Sequence, residues 1–420
     1  MKKILHICLL LLLSLCASAQ AESENMLPAA STQAKKEKQT SKGLLFFYRV
    51  GEWVDNYLLN GVDTNYITLP EHSWRLAYTN AMVGVNSSIN SFSETMPINN
   101  IRLLNRTTPS VDLGFNAGYR GFGFGYSWDA IHAYAQRLSF SLGSKFIGID
   151  FSIQTSTNIK TDVMLGSTKW NIPDNNVVIT NANLNVWYAL NSGKYSHQAA
   201  VKQSYIQRHS AGSPLLSLSY MSSQVSFSDT LKIPDQQRPL IPTLMSGLTA
   251  IRTRQIAVGI GYGINYTPNR GKVLLHASAN MLLVTYSVNL ASFYMPDSIA
   301  AEMPDQAMFN LNPDKPVHIT GNMRAAISWE INRWIHLSAW ATAENIRFRS
   351  NWTANDNKIA LENWNWKVQL TIGVRFGAGK ARVKRALDDA DVHPSLPERA
   401  PRRESKLPRW FNDYFYSPRL

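Results

Sequence analysis

The chain has 420 residues, a formal net charge of +13 and only two cysteines. Both cysteines, Cys8 and Cys16, lie in the first 19 residues, so the rest of the chain has no disulfide framework, thiolate metal site or thiol nucleophile. No later stretch holds the run of about 18 apolar residues that a membrane-spanning helix needs. The basic residues are spread along the chain, which favours a charged interior and a basic tail over a nucleic-acid surface.

The amino terminus has the pattern of a secretory signal peptide. Lys2 and Lys3 precede an apolar run over 4–15, and residues 17–19 form a small-x-small cleavage site before Gln20. A lipoprotein signal is the alternative, but it needs a small residue where Leu15 precedes the second cysteine. Residues 20–42 are polar and aperiodic, which predicts a disordered leader.

Residues 43–72 are predicted to form a periplasmic helix and a lead-in to the next region. Within 44–59 the polar residues are Arg49, Glu52, Asp55 and Asn56, which fall on one side of a helix. We expect a short helix on the inner leaflet or under a barrel. A first strand is the alternative, because three consecutive aromatic residues at 46–48 also favour strands.

Three motifs carry a resemblance to a known family. They are VDTNYI at 62–67, GFNAGYRGFGFGY at 114–126 and QRHSAGS at 207–213. The chain resembles the DUF4421 family of Bacteroidota over roughly 44–376. The family has no assigned activity, so the resemblance implies an outer-membrane compartment and a barrel architecture, but little chemistry.

Residues 73–376 are predicted to form a transmembrane antiparallel β-barrel of the all-β class. In the last strand, 364–376, every even position is large and apolar and every odd position is polar or glycine. Since alternate side chains of a strand point to opposite faces, one face meets lipid and the other the lumen. Similar alternation predicts strands at 73–86, 111–119, 122–128, 137–143, 145–157, 178–190, 214–227, 254–266, 272–286, 317–331 and 334–348.

The connections between these strands are of two kinds. Short turns at 191–194, 268–271 and 332–333 alternate with longer polar connections at 159–177, 229–252, 289–315 and 350–362, the asymmetry of an outer-membrane barrel. Such barrels have an even number of strands. Strand directions counted forward from residue 73 and backward from residue 376 agree only if 195–208 does not span the membrane. We therefore predict twelve strands, with 195–208 at the periplasmic mouth or inside the lumen, and the seventh strand starting at 210–213.

Charged residues fall on the predicted lumen side of the last three strands. These are Arg324, Glu330, His336, Glu344, Lys367 and Arg375, preceded by His318. Opposite charges on neighbouring strands can meet across the ladder. Two interpretations are open, a fixed plug of ion pairs or a selective lining that binds or conducts a solute.

The sequence predicts no enzyme, no metal site and no cofactor. The glycine-rich stretch 121–125 lacks the strand-then-helix context of a phosphate loop, and the histidines have no ligand spacing. A membrane-embedded hydrolase is the less favoured alternative. Its candidate pairs are His276 with Ser278 and His209 with Ser210, but nothing in the sequence supplies an orienting acid.

Residues 377–420 follow the closing strand and are basic, proline-rich and aromatic-ended. They are predicted to be a periplasmic extension that is disordered, a tether to an anionic periplasmic surface or partner, or an aromatic plug that folds back to the barrel mouth. The expected function is a non-enzymatic Gram-negative outer-membrane barrel that binds or passes a small solute, with an envelope scaffold acting through its tail and loops as the alternative. Its expected partners are outer-membrane lipid and the barrel insertion machinery, and not nucleic acid.

Overall fold

The computed structural model describes residues 42–93, 100–108, 110–130, 136–144, 146–157, 159–172, 177–227, 248–268, 271–294, 306–313, 317–351 and 357–377. The chain divides between residues 44 and 45, and apart from the first three residues of the first helix the features below belong to the unit 45–420. The predicted signal peptide lies outside the described residues. So do the predicted leader and tail, apart from residues 42 and 377.

The secondary structure consists mainly of strands. In chain order the elements are α1 (Lys42–Leu59), β1 (Ile67–Thr68), β2 (Trp74–Ser93), β3 (Ile101–Thr107), β4 (Ser110–Tyr119), β5 (Phe122–Asp129), β6 (Gln136–Gly143), β7 (Ile147–Ser156), β8 (Ile159–Leu165), β9 (Thr168–Ile172), β10 (Val177–Ala189), α2 (His197–Val201), β11 (Ile206–Gln207), β12 (Ala211–Phe227), β13 (Leu248–Tyr266), β14 (Val273–Tyr294), β15 (Gln306–Pro313), β16 (His318–Glu330), β17 (Ile335–Asn351) and β18 (Asn357–Phe376). The predicted helix near the start is confirmed, and the alternative of a first strand there is wrong. No helix in the described part of the chain is long and apolar enough to cross a membrane.

Twelve strands close a ring, which confirms the predicted barrel and its strand number. Each of β2, β4, β5, β6, β7, β10, β12, β13, β14, β16, β17 and β18 is hydrogen-bonded antiparallel to the next. β18 then pairs with β2 along its whole length. We call the end with the connections 120–121, 144–146, 190–210, 267–272 and 331–334 the short-turn end, and the opposite end the long-loop end. At the short-turn end, a Cβ on Gly121 would lie 1.9 Å from the Gly143 carbonyl oxygen, so that turn accepts only glycine.

The outside of the ring carries a belt of exposed apolar side chains. On β18, Leu370 is 60% exposed and its neighbour Thr371 only 9%. The same alternation continues around the ring, with exposed Phe124, Ile260 and Met323 on other strands. A closed ring with an apolar exterior and polar inward positions is the arrangement of a membrane β-barrel. The inward and outward faces predicted for 364–376 are therefore those of the structure.

Several strands are longer than predicted, always towards the long-loop end. β17 and β18 take in most of 350–362, and β14 runs to Tyr294. At this end the alternation reverses its phase, and on β17 the reversal begins within the predicted strand: Ile346 and Phe348 are buried inside, and Arg347 between them is exposed. The reason is that the outside of the extension meets water and the inside is dry. A pattern of apolar-out and polar-in therefore stops where the strand leaves the membrane.

Two of the predicted long connections, 159–177 and 289–315, contain strands of their own, so their assignment as loops was wrong, and a further strand, β3, lies between the predicted strands 73–86 and 111–119. β3 pairs with the long-loop end of β2, β8 pairs with β3, and β9 pairs with β8. β15 pairs with β14 and β17. β3, β8 and β9 lengthen the wall above the short strands β4 to β7, and β15 lengthens it above β16.

Apolar side chains fill the inside of the barrel at the long-loop end. This long-loop cluster consists of Val85, Ile89, Ile101, Leu103, Ile159, Val163, Ile172, Val177, Ile179, Val225, Phe227, Leu248, Ile251, Ala291, Phe293, Leu311, Phe348, Ile359 and Leu361. Its members come from strands on opposite sides of the ring, so the cluster crosses the lumen. It forms a dry core of the kind found in a soluble protein.

Residues 195–208, the inserted segment, lie inside the lumen at the short-turn end. They contain α2 and β11, and the side chains of Tyr195, Ala199 and Tyr205 are almost fully buried. The segment contacts the inward faces of β6, β7, β10, β13, β16 and β18. Strands all around the ring can meet one segment only if it is inside. The prediction that it does not span is confirmed, and of the two predicted places it occupies the lumen.

The inserted segment is held from below by the chain that leads into the barrel. β11 pairs with β1, and Leu58, Ile67 and Tyr205 pack in one apolar cluster. Arg120 in the first short turn lies 2.5 Å from Asp55 of α1 through its Nε. The end of α1 and β1 therefore cover the short-turn end of the lumen.

Candidate functional site: a polar chamber in the lumen

A polar chamber lies between the inserted segment and the long-loop cluster. Along β18, Leu361 belongs to the cluster and Arg375 contacts the inserted segment, and between them the chamber is lined by Asn365, Lys367, Gln369 and Thr371. The same order is found on β10, where Ile179 belongs to the cluster and the Trp187 ring contacts the tilted ring of His197. The chamber has an empty volume of about 1810 Å³, which includes space continuous with solvent.

Asparagines form the boundary between the chamber and the long-loop cluster. The Asn363 amide donates to Asn181 Oδ1 at 3.1 Å, and the Asn181 amide donates to Asn365 Oδ1 at 2.9 Å. β10 and β18 are not neighbours in the ring, so these bonds cross the lumen. Asn183 likewise reaches Glu344 Oε2 on β17 at 2.5 Å. The crossings join opposite walls and fix the width of the barrel.

The walls of the chamber carry more positive than negative charge. Five cationic side chains line it, from Arg75, Arg137, Lys202, Arg324 and Lys367. The carboxylates that line it are Asp150 and Glu344. If all of these groups are ionised, the lining is positive.

Asp150 connects two of the cations at the inserted segment. Its carboxylate lies 3.5 Å from Lys202 Nζ and 3.8 Å from Arg324 Nη1. Arg324 also donates to His197 Nε2 at 3.3 Å. A guanidinium can only donate, so His197 is neutral and carries its proton on Nδ1, facing the Tyr195 hydroxyl at 3.1 Å.

Burial explains the protonation of the two basic groups on the inserted segment. Removal from water, with His276 and Arg324 nearby, holds the pKa of His197 well below its usual range. Burial also lowers the pKa of Lys202, and the Asp150 carboxylate opposes that shift. Both groups would carry more charge if water or an anion reached them.

Three of the six predicted lumen charges line the chamber and three do not. Arg324, Glu344 and Lys367 line it, and Lys367 Nζ lies 4.6 Å from the centre of the Trp340 ring. Glu330 and Arg375 instead pair at the short-turn end. His336 is fully buried against Gly373, outside the chamber lining. His318 begins β16 and is also outside that lining.

The sequence analysis missed several chamber residues. Arg137 and Asp150 stand at inward positions of strands that the alternation did predict, so the same parity rule would have found them. Lys202 and His197 could not be found in this way, because the inserted segment has no strand pattern. Their position depends on tertiary contacts alone.

The two candidate serine and histidine pairs differ in the structure. His276 Nε2 lies 3.2 Å from Ser278 Oγ, and its Nδ1 lies 2.8 Å from Asn265 Oδ1. His209 instead packs on the Tyr66 ring, while Ser210 accepts from the Thr267 amide. Among the described residues, no group of three histidine, cysteine, aspartate or glutamate side chains could hold a metal ion.

The ring, its apolar exterior and its polar lumen define an outer-membrane β-barrel. The chain belongs to the DUF4421 family, a domain of unknown function, whose model matches residues 61–376. No curated protein sequence matches the chain.

Solved outer-membrane proteins are similar to the chain at low sequence identity. The outer membrane protease OmpT from Escherichia coli is 9% identical, with 74% of this chain and 98% of that chain covered and a TM-score of 0.39. OprG from Pseudomonas aeruginosa is 10% identical, with coverage of 74% and 99% and a TM-score of 0.28. The toluene transporter TodX from Pseudomonas putida is 8% identical, with coverage of 72% and 90% and a TM-score of 0.28.

Proposed function

We propose that the protein binds a small anionic solute in the chamber of a barrel in the Gram-negative outer membrane. The observation that carries the proposal is the excess of cationic over carboxylate side chains around the chamber. Inside a cleft with low-dielectric walls this excess attracts an anion more strongly than it would at a flat surface.

The barrel is oriented with its short-turn end in the periplasm and its long-loop end outside. In this orientation the exposed apolar belt contacts outer-membrane lipid. The barrel insertion machinery assembles the chain after export through the signal peptide at 1–19. The inserted segment then faces the periplasm, and the long-loop cluster faces the cell exterior.

Binding is favoured over free conduction. The inserted segment occupies the lumen at one end and the long-loop cluster crosses it at the other. Passage of a solute would require both to move. We therefore expect the resting barrel to hold a solute without forming an open pore.

Binding can be measured through the tryptophans of the chamber. Trp340 lies under Lys367, and Trp187, which contacts His197, also lines the chamber. Titration of the folded full chain with citrate should change their fluorescence, while spermidine should not. Arg324→Gln and Lys367→Gln should each weaken citrate binding about tenfold, equivalent to about 1.4 kcal/mol. Arg333→Gln is the matched control, because Arg333 is 62% exposed and outside the chamber.

Conduction is tested by electrical recording in planar bilayers. The full chain should give little conductance, and replacement of 197–205 by a glycine and serine linker should raise it. A large steady conductance from the unaltered chain would contradict a closed barrel. Citrate binding that is unchanged in both chamber variants would contradict the site.

Two sequence-based alternatives stay predictions. The envelope scaffold acting through 377–420 depends on residues outside the described part of the chain. The absence of enzymatic activity is also a prediction, and the bonded serine and histidine on the chamber wall give a reason to test it.

A further inference from the structure

Three polar side chains on β13 and β14 form a continuous hydrogen-bonded array. Asn265 and His276 are paired in the ladder, and Ser278 is the next inward residue on β14. Asn265 Oδ1 lies 2.8 Å from His276 Nδ1, and His276 Nε2 lies 3.2 Å from Ser278 Oγ. All three residues are buried from the outside of the barrel. In this array the amide can orient the base, the imidazole can act as the base, and the hydroxyl can act as the nucleophile.

The hydrogen bonds of the inserted segment fix the orientation of the Asn265 amide. Asn265 Nδ2 donates to the Ser196 carbonyl at 2.8 Å and to Gln207 Oε1 at 3.1 Å. Gln207 in turn donates through Nε2 to the carbonyl of Lys194 at 2.6 Å. Backbone carbonyls can only accept, so the side-chain amides of Asn265 and Gln207 each have one possible orientation. Asn265 Oδ1 must therefore accept from His276.

This orientation determines the tautomer of His276. Its proton is on Nδ1, where it is donated to Asn265, so Nε2 carries the lone pair and faces the Ser278 hydroxyl. A serine hydroxyl that donates to an unprotonated imidazole is the starting state for general-base activation. The inserted segment therefore has a second effect besides filling the lumen: it makes His276 Nε2 the acceptor for the Ser278 hydroxyl.

Another His-x-Ser pair shows that the spacing alone does not make this array. His336 and Ser338 are also two apart on an inward face, and Ser338 lines the chamber. Neither ring nitrogen of His336 makes a hydrogen bond to a described residue. The array on β14 exists because β13 supplies Asn265 opposite the imidazole. The pair on β17 therefore shows that the same spacing, without an orienting residue, gives no hydrogen bond between histidine and serine.

Ser278 is open to the chamber and has a cation beside it. It lines the cavity, and its partner across the ladder on β16 is Arg324. Side chains paired in this way have Cβ atoms about 5 Å apart. Arg324 is held by Asp150 and His197, so its guanidinium is fixed near the space where a carbonyl oxygen next to Ser278 would become negative.

We propose that Ser278 and His276 form a hydrolytic centre that cleaves a small ester bearing an anionic group. Ser278 Oγ attacks the ester carbonyl carbon while His276 Nε2 takes the hydroxyl proton, and Arg324 stabilises the oxyanion. The C–O bond to the alcohol then breaks, His276 returns the proton to the leaving oxygen, and an acyl-Ser278 remains. Water from the chamber, deprotonated by His276, releases the acid and restores the serine.

Asn265 is a positioning residue, since it acts through His276. The anionic character of the substrate rests on the proposed function, because it comes from the charge of the chamber. The serine chemistry does not rest on that charge. The two can therefore fail separately.

The test uses the full chain folded in detergent micelles, with folding checked by heat-modifiable migration. A fluorophosphonate probe should label the protein, and peptide mass spectrometry should place the label on Ser278. Ser278→Ala and His276→Ala should each lower labelling at least a hundredfold, while Ser210→Ala, which is outside the chamber lining, should label like the unaltered chain. Asn265→Ala should also lose labelling. Asn265→Asp puts an oxygen against the Ser196 carbonyl and Gln207 Oε1, so it should lower labelling, and the labelling that remains should have the acid limb of its pH dependence moved upwards, because a carboxylate stabilises the imidazolium.

Two chromogenic esters separate the inference from the proposed function. Serine-dependent cleavage of 4-nitrophenyl hydrogen succinate with a KM at least tenfold below that for neutral 4-nitrophenyl acetate supports both. Equal KM values for the two esters, with cleavage lost in Ser278→Ala, would keep the hydrolytic centre and contradict the anionic solute. Citrate binding by a folded chain that shows neither fluorophosphonate labelling nor any ester cleavage above Ser278→Ala would overturn the hydrolytic centre and leave the proposed function standing.

Discussion

Arg375 joins Glu330 on the barrel wall to the segment inside the barrel. Its guanidinium binds both carboxylate oxygens of Glu330 and donates to the Gln203 carbonyl at 3.2 Å. The two charged residues come from β18 and β16, which flank β17, so the pair spans three strands. Gln203 has a left-handed backbone with φ of 50°, where the chain turns after α2. One side chain thus links the short-turn end of the wall to the inserted segment.

Arg375→Gln should destabilise the barrel and loosen the inserted segment together. Removing one partner of a buried ion pair leaves the other charge unpaired, and this costs about 3 to 5 kcal/mol. Denaturant unfolding in micelles would measure the loss, and bilayer recording should show a higher conductance. The control is Arg333→Gln, whose exposed contact with Glu71 at 3.9 Å should contribute less than about 1 kcal/mol. Equal effects of the two changes would contradict the role given to Arg375.

Leu370→Arg and Thr371→Arg test the two faces of the closing strand. Leu370 is 60% exposed on the outside, and Thr371 is buried on the lumen side and lines the chamber. A charge at the middle of the lipid face should cost about 2 to 4 kcal/mol, whereas the lumen can hydrate or pair an added guanidinium. We expect Leu370→Arg to reduce the heat-modifiable fraction markedly and Thr371→Arg to reduce it little. The same loss in both variants would mean that the faces are assigned wrongly.

The reversed alternation at the long-loop end has a test of its own on β13. Ile251 is fully buried in the long-loop cluster, and Arg254 on the same strand is exposed on the outside. Ile251→Ala should lower the free energy of unfolding by about 2 to 5 kcal/mol, because it leaves a cavity in a packed core. Arg254→Ala should change it by about 0.5 kcal/mol or less. If Ile251→Ala were neutral, the extension would not have a dry interior.

The sequence was sufficient for the parts of the fold that lie in the membrane. There, lipid outside and polar groups inside impose one alternation, and the parity of the strand count placed 195–208 off the ring. Beyond the membrane the same reasoning failed, since Ile346 and Phe348 point inwards while Arg347 points outwards. The sequence analysis did not predict β8, β9 and β15 in the long connections for the same reason. A search for strands with apolar residues outside and polar residues inside cannot identify strands in which the two faces are exchanged.

The site was harder to predict than the fold, because it depends on which residues meet across the ladder. Asn265 and His276 are paired only for one register of β13 and β14, and a shift of one residue would turn one of them to the other face. The sequence showed His276 and Ser278 on one face but could not supply Asn265. His197, Lys202 and Gln207 reach the site from the inserted segment, whose path through the lumen leaves no periodic signal in the sequence.

Deletion of 380–420 should leave a barrel that still inserts. β18 is hydrogen-bonded to β2 as far as Phe376 with Trp74, so the ring is complete before the tail begins. The chain then turns at Gly377, which has φ of +99°, and His72 Nδ1 donates to its carbonyl at 2.9 Å. The His72 ring also stacks on Trp334 at 3.9 Å, so this exit is anchored on the barrel itself. We expect the shortened chain to reach the outer membrane and to show heat-modifiable migration like the full chain. Phe376→Ala is the companion variant, since it removes the large apolar side chain that ends the closing strand, and it should impair insertion more than the deletion does. Loss of insertion on deletion alone would show that the tail takes part in assembly.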